Sequence, residues 1–326
     1  MVDTKHRAVA LVTRVLISIA ATLIFAEFAL RIGSIFASDQ SEAGWRPNAQ
    51  VRILAVGDSH TYGGTVQPDE TYPAQLQRHL DAAAPGVYSV INIGIPGVNT
   101  AQVRNRLPLN LARWEPDIVI VWCGLNNTWN SAESDSRNLT GWLDRMFLRL
   151  KVYKLVRVLM HDRSLYVAAG EHLSGQRHNL ETVNRHSQRV PFFGTIKTED
   201  TGQVQVDEDA VRATAEDYRA IRRIVESTGA NAIFVSYHLD FERFRVPNEA
   251  LGGLAREEQF DVIDGMAGLD RVPESQGRFT WALHPSAPVY REIARDVAAL
   301  ILSISQGQQS PARELPGDPP SGTPPG

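Results

Sequence analysis

The sequence predicts a three-layer α/β fold, a parallel sheet with helices on both faces, preceded by one apolar N-terminal helix. Three observations carry this. Five short apolar runs recur along the chain, at 51–57 (VRILAVG), 88–93 (YSVINI), 117–123 (DIVIVWC), 231–237 (NAIFVSY) and 260–264 (FDVID). Most are nearly continuous in apolar side chains rather than alternating, the pattern of strands covered on both faces. Helical stretches stand between them, and that alternation builds parallel sheets.

Taken in order, the first element is the run 8–36, AVALVTRVLISIAATLIFAEFALRIGSIF, which follows Lys5 and Arg7. Its uncharged centre, Val15 to Ala26, spans about 18 Å as a helix, short of a hydrocarbon core of about 30 Å. Arg14 on one side, with Glu27 and Arg31 on the other, lengthen the span by snorkelling. The segment reads as an uncleaved signal anchor. A cleaved signal peptide and a soluble helix stay open, although no clean small-x-small cleavage site stands near SIFASD. Either of the first two readings places the remainder outside the cytoplasm, periplasmic or extracellular.

The helices expected after the anchor are 72–84, 100–114, 209–228 and 287–304, with Gly229 as the stop of the third. Residues 131–207 break the alternation with an expected helix at 139–160 and a polar stretch rich in His, Arg and Asn. This is far longer than an ordinary connection, and reads either as a lid or substrate-contacting insertion or as a variable surface excursion. Residues 306–326, rich in Pro and Gly, are expected to be a disordered tail. The expected organisation is an anchor at 1–40, one α/β domain at 51–305 with an insertion at 131–207, and the tail.

Composition narrows the function. A chain of 326 residues can bury one large core, and a net charge of −4 gives no basic footprint for nucleic acid. The single cysteine, Cys123, allows neither an intrachain disulfide nor a Cys-rich zinc site, and reads as a small buried hydrophobe. The nine histidines are scattered without an HExxH or a similar close pair, so neither metal nor cofactor is expected.

Sites in parallel sheets lie beyond the carboxyl ends of the strands. Four stretches stand at loop positions: GDSHTYG (57–63), NIGIPGVNT (92–100), GLNN (124–127) and HPSAPVYREIA (284–294). Gly-Asp-Ser alone is ordinary turn chemistry. Four blocks in this order, on strand ends, resemble the SGNH, or GDSL-type, hydrolase family, named for Ser, Gly, Asn and His in successive blocks. The resemblance covers roughly residues 51–303 and leaves out the anchor, the tail and most of 131–207. It implies a flavodoxin-like sheet, Ser59 as nucleophile, His284 as base, and an oxyanion hole from the backbone N–H groups of Ser59 and Gly97 and the amide of Asn126.

The chemistry suits those residue types. A serine hydroxyl is a poor nucleophile until a positioned base takes its proton, and attack on an ester creates an oxyanion that needs fixed donors. Gly57 permits a sharp turn, and Gly97 lets the backbone approach a substrate closely. Asp58 reads as capping the turn, His60 as pointing away from the chemistry, Asn127 as structural and His238 as a surface-loop residue. One departure from the family stands out. Trp281 occupies the position, three before the base, where the family usually has Asp, and Val289 stands where Gly is common. Asp264, Asp270 and Glu274 lie upstream on the same connection; a Ser–His dyad without any of them is the preferred reading. The expected function is an exported, membrane-anchored ester hydrolase acting on an acyl or acetyl ester, of a small molecule or a glycan. An O-acyltransferase using the same pair, and a catalytically weakened glycan-binding protein, are the alternatives.

Overall fold

The computed structural model describes residues 2–37, 45–46, 48–128, 130, 133, 150–153, 156, 207–239, 242–280 and 283–305. The tail, most of the insertion with its expected helix at 139–160, and Trp281 lie outside the described residues. The helices are α1 (Val2–Ala37), α2 (Ser59–Tyr62), α3 (Tyr72–Ala83), α4 (Thr100–Trp114), α5 (Glu208–Glu226), α6 (Glu242–Glu258), α7 (Gly265–Asp270) and α8 (Ala287–Ser305). The strands are β1 (Val51–Gly57), β2 (Tyr88–Asn92), β3 (Ile118–Trp122), β4 (Asn231–Val235) and β5 (Asp261–Ile263).

All five strands run parallel in one sheet of order β2-β1-β3-β4-β5. In β1, Ile53 stands opposite Val90 of β2 and Ile118 of β3. Alternate side chains of that strand feed different cores, because successive Cβ atoms point to opposite faces. Ile53 and Ala55 join Leu76 and Leu80 of α3 and Ile293 and Val297 of α8. Leu54 and Val56 join Leu107 of α4, Tyr218 and Ile221 of α5, and Leu251 of α6. The result is the three-layer arrangement the sequence predicts. Val289, at the family's common glycine position, is buried in the first core.

Strand ends and helix starts set up the loops. The apolar runs outlast the pairing: Ile93, Cys123 and Tyr237 lie past the last ladder residue of their strands, in segments that lead into the site. Thr71 caps α3 through Ala74 N, and Asn99 with Gln102 forms a reciprocal box at the start of α4. The sequence reading leaves out α6, since Pro247 and the Gly252–Gly253 pair interrupt its pattern. Tertiary bonds dock that helix. The Asn248 side chain accepts from Tyr237 N at 2.7 Å and donates to the carbonyls of Tyr237 and Leu239 at 3.1 and 3.0 Å.

Helix α1 contains one stretch, Thr13–Ile32, long and apolar enough to cross a membrane. Glu27 and Arg31, one turn apart, pair at 2.8 Å. Ile24, Phe25 and Phe28 are exposed on its surface.

Candidate active site

At the carboxyl end of β1 the chain turns through Gly57. A Cβ there would collide with the Trp122 carbonyl and the Thr61 hydroxyl, so the close passage of this turn beside β3 requires glycine. Asp58 then caps the single turn α2, its carboxylate accepting from His60 N at 2.9 Å. Ser59, half-buried, is the first residue of that turn. Its N–H points out of the helix start without an intrahelical acceptor. A single turn has little macrodipole, so these local N–H groups carry the electrostatics here. Sheet order changes direction between β1 and β3, the switch point where such folds open a crevice. Ser59 follows β1, and the 3₁₀ turn Leu125–Thr128 follows β3.

His284 arrives from the connection between α7 and α8. Its Nε2 lies 2.8 Å from Ser59 Oγ. In the tautomer that carries its proton on Nδ1, Nε2 accepts the hydroxyl proton. The loop that holds the ring is tightly pinned. Leu283, just before it, has φ 61°, a left-handed conformation that costs a bulky residue about 1–3 kcal/mol. Several bonds offset that cost. His238 Nε2 donates to the Leu283 carbonyl at 3.0 Å, and Thr280 N donates to the His284 carbonyl at 2.8 Å. The Thr280 and Thr65 hydroxyls meet at 2.8 Å.

Asp58 is fully buried behind the pair. Its Oδ2 accepts from Tyr237 OH at 2.5 Å and from Asn126 Nδ2 at 3.5 Å. Tyr237 OH itself accepts from Leu125 N at 3.0 Å, which ties the third block to the first. Burial, and next the Asp58 charge, push the Tyr237 hydroxyl well above its ordinary range, so it stays a donor. Burial also raises the Cys123 thiol, which behaves as an inert core group. Burial and the neighbouring His60 drive His238 well below the usual histidine value and keep it neutral.

The other blocks knit around this centre. Asn126 is buried, and its Nδ2 also donates to the Val98 carbonyl at 2.9 Å. Gly97, at φ 77°, takes a left-handed conformation that favours glycine, and its carbonyl accepts from Asn130 Nδ2 at 2.7 Å. Asn127 Oδ1 accepts from Thr100 N at 3.0 Å, while its Nδ2 donates to the Thr100 and Thr214 hydroxyls at 2.9 Å each. The structure thus brings Ser59 and His284 into direct contact. It sets Asn126 between Asp58 and the loop that carries Gly97. The three upstream carboxylates stand apart in their own settings. Asp264 caps α7 through Met266 N at 2.9 Å, Asp270 is exposed at the end of that helix, and Glu274 is exposed 3.7 Å from Arg278.

Two histidines depart from the sequence reading. His60 and His238 are both fully buried, although His60 is expected to point away and His238 to lie in a surface loop. The His60 ring stacks on His284, centroids 4.6 Å apart and planes at 27°. Its Nδ1 lies 3.4 Å from Asp58 Oδ1. The signal for His238 was the apolar run NAIFVSYHL, which continues past the strand and marks a buried segment. Among the described residues, no group of three or more His, Cys, Asp and Glu side chains is arranged to hold a metal ion.

Several solved structures are similar to the chain. A psychrotrophic esterase from Pseudoalteromonas sp., inhibited by monoethylphosphonate, is 14% identical over 78% of this chain and 98% of its own, with a TM-score of 0.45. A catalytic mutant of an acetylxylan esterase from Geobacillus stearothermophilus is 15% identical over 79% and 96%, with a TM-score of 0.45. A family 3 carbohydrate esterase from Clostridium thermocellum is 15% identical over 79% and 98%, also at 0.45. No curated protein matches the sequence. The model of the GDSL-like lipase/acylhydrolase family matches residues 55–292, a stretch that reaches from before Ser59 to beyond His284. The chain therefore belongs to the GDSL-like lipase/acylhydrolase family of hydrolases.

Proposed function

We propose that the chain is an exported serine ester hydrolase, anchored in a membrane by α1, that acts on an acyl or acetyl ester of a small molecule or a glycan. The observation that carries the chemistry is the 2.8 Å contact between Ser59 Oγ and His284 Nε2 at the end of β1. As Oγ attacks the ester carbonyl carbon, its proton passes to Nε2 and the carbonyl oxygen becomes an oxyanion. The N–H groups of Ser59 and Gly97 and the Asn126 amide receive that charge. The weak 3.5 Å contact from Asn126 to Asp58 is the one the oxyanion replaces, while the 2.9 Å bond to Val98 keeps the amide in place. His284 then protonates the departing alcohol, leaving an acyl group on Ser59. Water, deprotonated by His284, attacks that acyl-enzyme and releases the carboxylic acid.

The anchor rests on physical grounds of its own. Leu11, Ile24, Phe25 and Phe28 are exposed on α1, and exposed apolar surface costs about 25 cal/mol per Å² in water. Lys5 and Arg7 precede the span, which favours an inside N-terminus and an exported domain. The hydrolase reading is tested with the full chain in detergent micelles and an activated aryl acetate. Wild type hydrolyses the ester and Ser59→Ala does not; equal rates for the two proteins overturn the reading. An acetylated oligosaccharide, assayed for released acetate beside the aryl ester, separates glycan from small-molecule substrates.

A further inference from the structure

We propose that His60 is a positioning residue for His284: its ring holds the base over Ser59 and brings the charge of the buried Asp58 carboxylate to bear on it. This rests on the reading of Ser59 and His284 as nucleophile and base. His60 is fixed on every side. Besides the stacked His284, its ring packs on Tyr237 at 4.9 Å, Trp122 at 5.4 Å, His238 at 5.5 Å and Phe244 at 6.3 Å between centroids. A platform that cannot turn restricts the ring stacked on it, and so keeps Nε2 aimed at Ser59 Oγ.

The electrostatics follow from the same stack. When Ser59 gives up its proton, His284 becomes a cation lying over the face of an aromatic ring. Such a cation is attracted by the electrons of that face, the more so because His60 is fully buried. An anion at the edge of His60, Asp58 Oδ1 at 3.4 Å from Nδ1, pushes electron density toward the stacked face. Among the described residues, the ionisable groups that face His60 include Asp58, Tyr237, His238 and His284. Tyr237 is held protonated and His238 neutral, which leaves Asp58 as the anion. The Asp58 charge is felt around it, by Tyr218, Tyr290 and Cys123 as well as by Tyr237. Trp281 stands in the family's usual Asp position, and Asp264, Asp270 and Glu274 are placed elsewhere; this stack supplies a countercharge for the imidazolium.

The test compares wild type with His60→Phe, which keeps a flat ring but removes the Nδ1 edge, and with His60→Gln, which keeps a polar group but removes the ring. Both are made in the full chain in detergent. The His284 imidazole is titrated by NMR, its resonance assigned by its loss in His284→Gln, and the pH profile of kcat/KM is recorded with the aryl acetate. Loss of the coupling to Asp58 disfavours the imidazolium, so the His284 titration and the acid limb of the profile both move to lower pH. The kcat falls by about tenfold in His60→Gln, which loses the ring face, the rate equivalent of one cation–π contact, and by less in His60→Phe, which keeps the face and loses only the Nδ1 edge; KM changes little in both. A merely structural role lowers activity and melting temperature together and leaves the titration in place. If the titration of His284 in either folded variant coincides with that of wild type, the proposal is wrong. A wild-type chain that hydrolyses no ester overturns the function instead, and the NMR titration still decides the role of His60.

Discussion

Ser59, the proposed nucleophile, depends on its neighbours rather than on its own chemistry. A hydroxyl at the first position of a helical turn is an ordinary cap-region group; in the proposed mechanism, His284 Nε2 at 2.8 Å makes it a nucleophile. Asn126 contributes differently, since it joins Asp58 to the second block and, in the proposed mechanism, offers its amide to the oxyanion. Asn126→Ala should therefore lower kcat by about 10²–10³ while KM changes little, as for other lost oxyanion donors; a KM effect alone in steady-state kinetics speaks against that role. His238 sets a stability prediction. Its folded pKa lies well below the unfolded value of 6.5, because burial penalises the cation. Above about pH 6.5 both states are neutral and nothing is lost. Below it only the unfolded chain takes the proton, so stability falls as pH drops, by about 1.4 kcal/mol per pH unit. Denaturant midpoints between about pH 7 and pH 5 should fall less steeply in His238→Gln than in wild type. Ser59 and His284 were legible because their blocks are local in sequence. His60 and His238 were not, because what buries them comes from β3, α6 and the loop before α8, far apart along the chain.

The elements that carry these residues are short and tightly joined. Strand, glycine and single turn form an elbow whose geometry depends on Gly57 having no side chain. Gly57→Ala should destabilise the chain by about 1–3 kcal/mol or more, as overpacking does. Thermal melting checks this, and an unchanged melting temperature contradicts the close passage beside β3. The segment after β4 depends on α6 in a similar way. Asn248→Ala removes three bonds to residues 237–239 and should cost about 1–3 kcal/mol. It should also lower kcat, since Tyr237 would lose its hold on Asp58; loss of stability with unchanged kcat separates docking from function. Strands and most helices were legible because hydrophobic runs and helical periodicity are strong where both faces are covered. α6 was not, since Pro247 and two glycines erase its local signal; packing against α5 and the Asn248 bonds to residues 237–239 hold it.

At the scale of the whole molecule, two cores grip one parallel sheet, and the site opens where the strand order changes direction. That design separates stability from the proposed chemistry: the cores fix the sheet, while loops after β1, β2 and β3 and before α8 carry the groups proposed to react. The sheet was legible as parallel, but its order came from the family resemblance, because periodicity says nothing about which strand lies beside which. The proposed anchor, helix α1, adds a membrane to the account. The full chain should sediment with membranes and resist alkaline carbonate extraction, whereas a chain lacking residues 2–37 should not; equal release of both removes the anchor. The central claim is that Ser59, activated by His284, forms a covalent bond to an acyl-like electrophile. The most direct measurement is intact-mass and peptide mapping of the full chain after treatment with a fluorophosphonate. The account predicts one adduct, on Ser59, formed far more slowly in His284→Ala and absent in Ser59→Ala. A wild-type chain that stays unmodified, or one modified equally when His284 is removed, contradicts it.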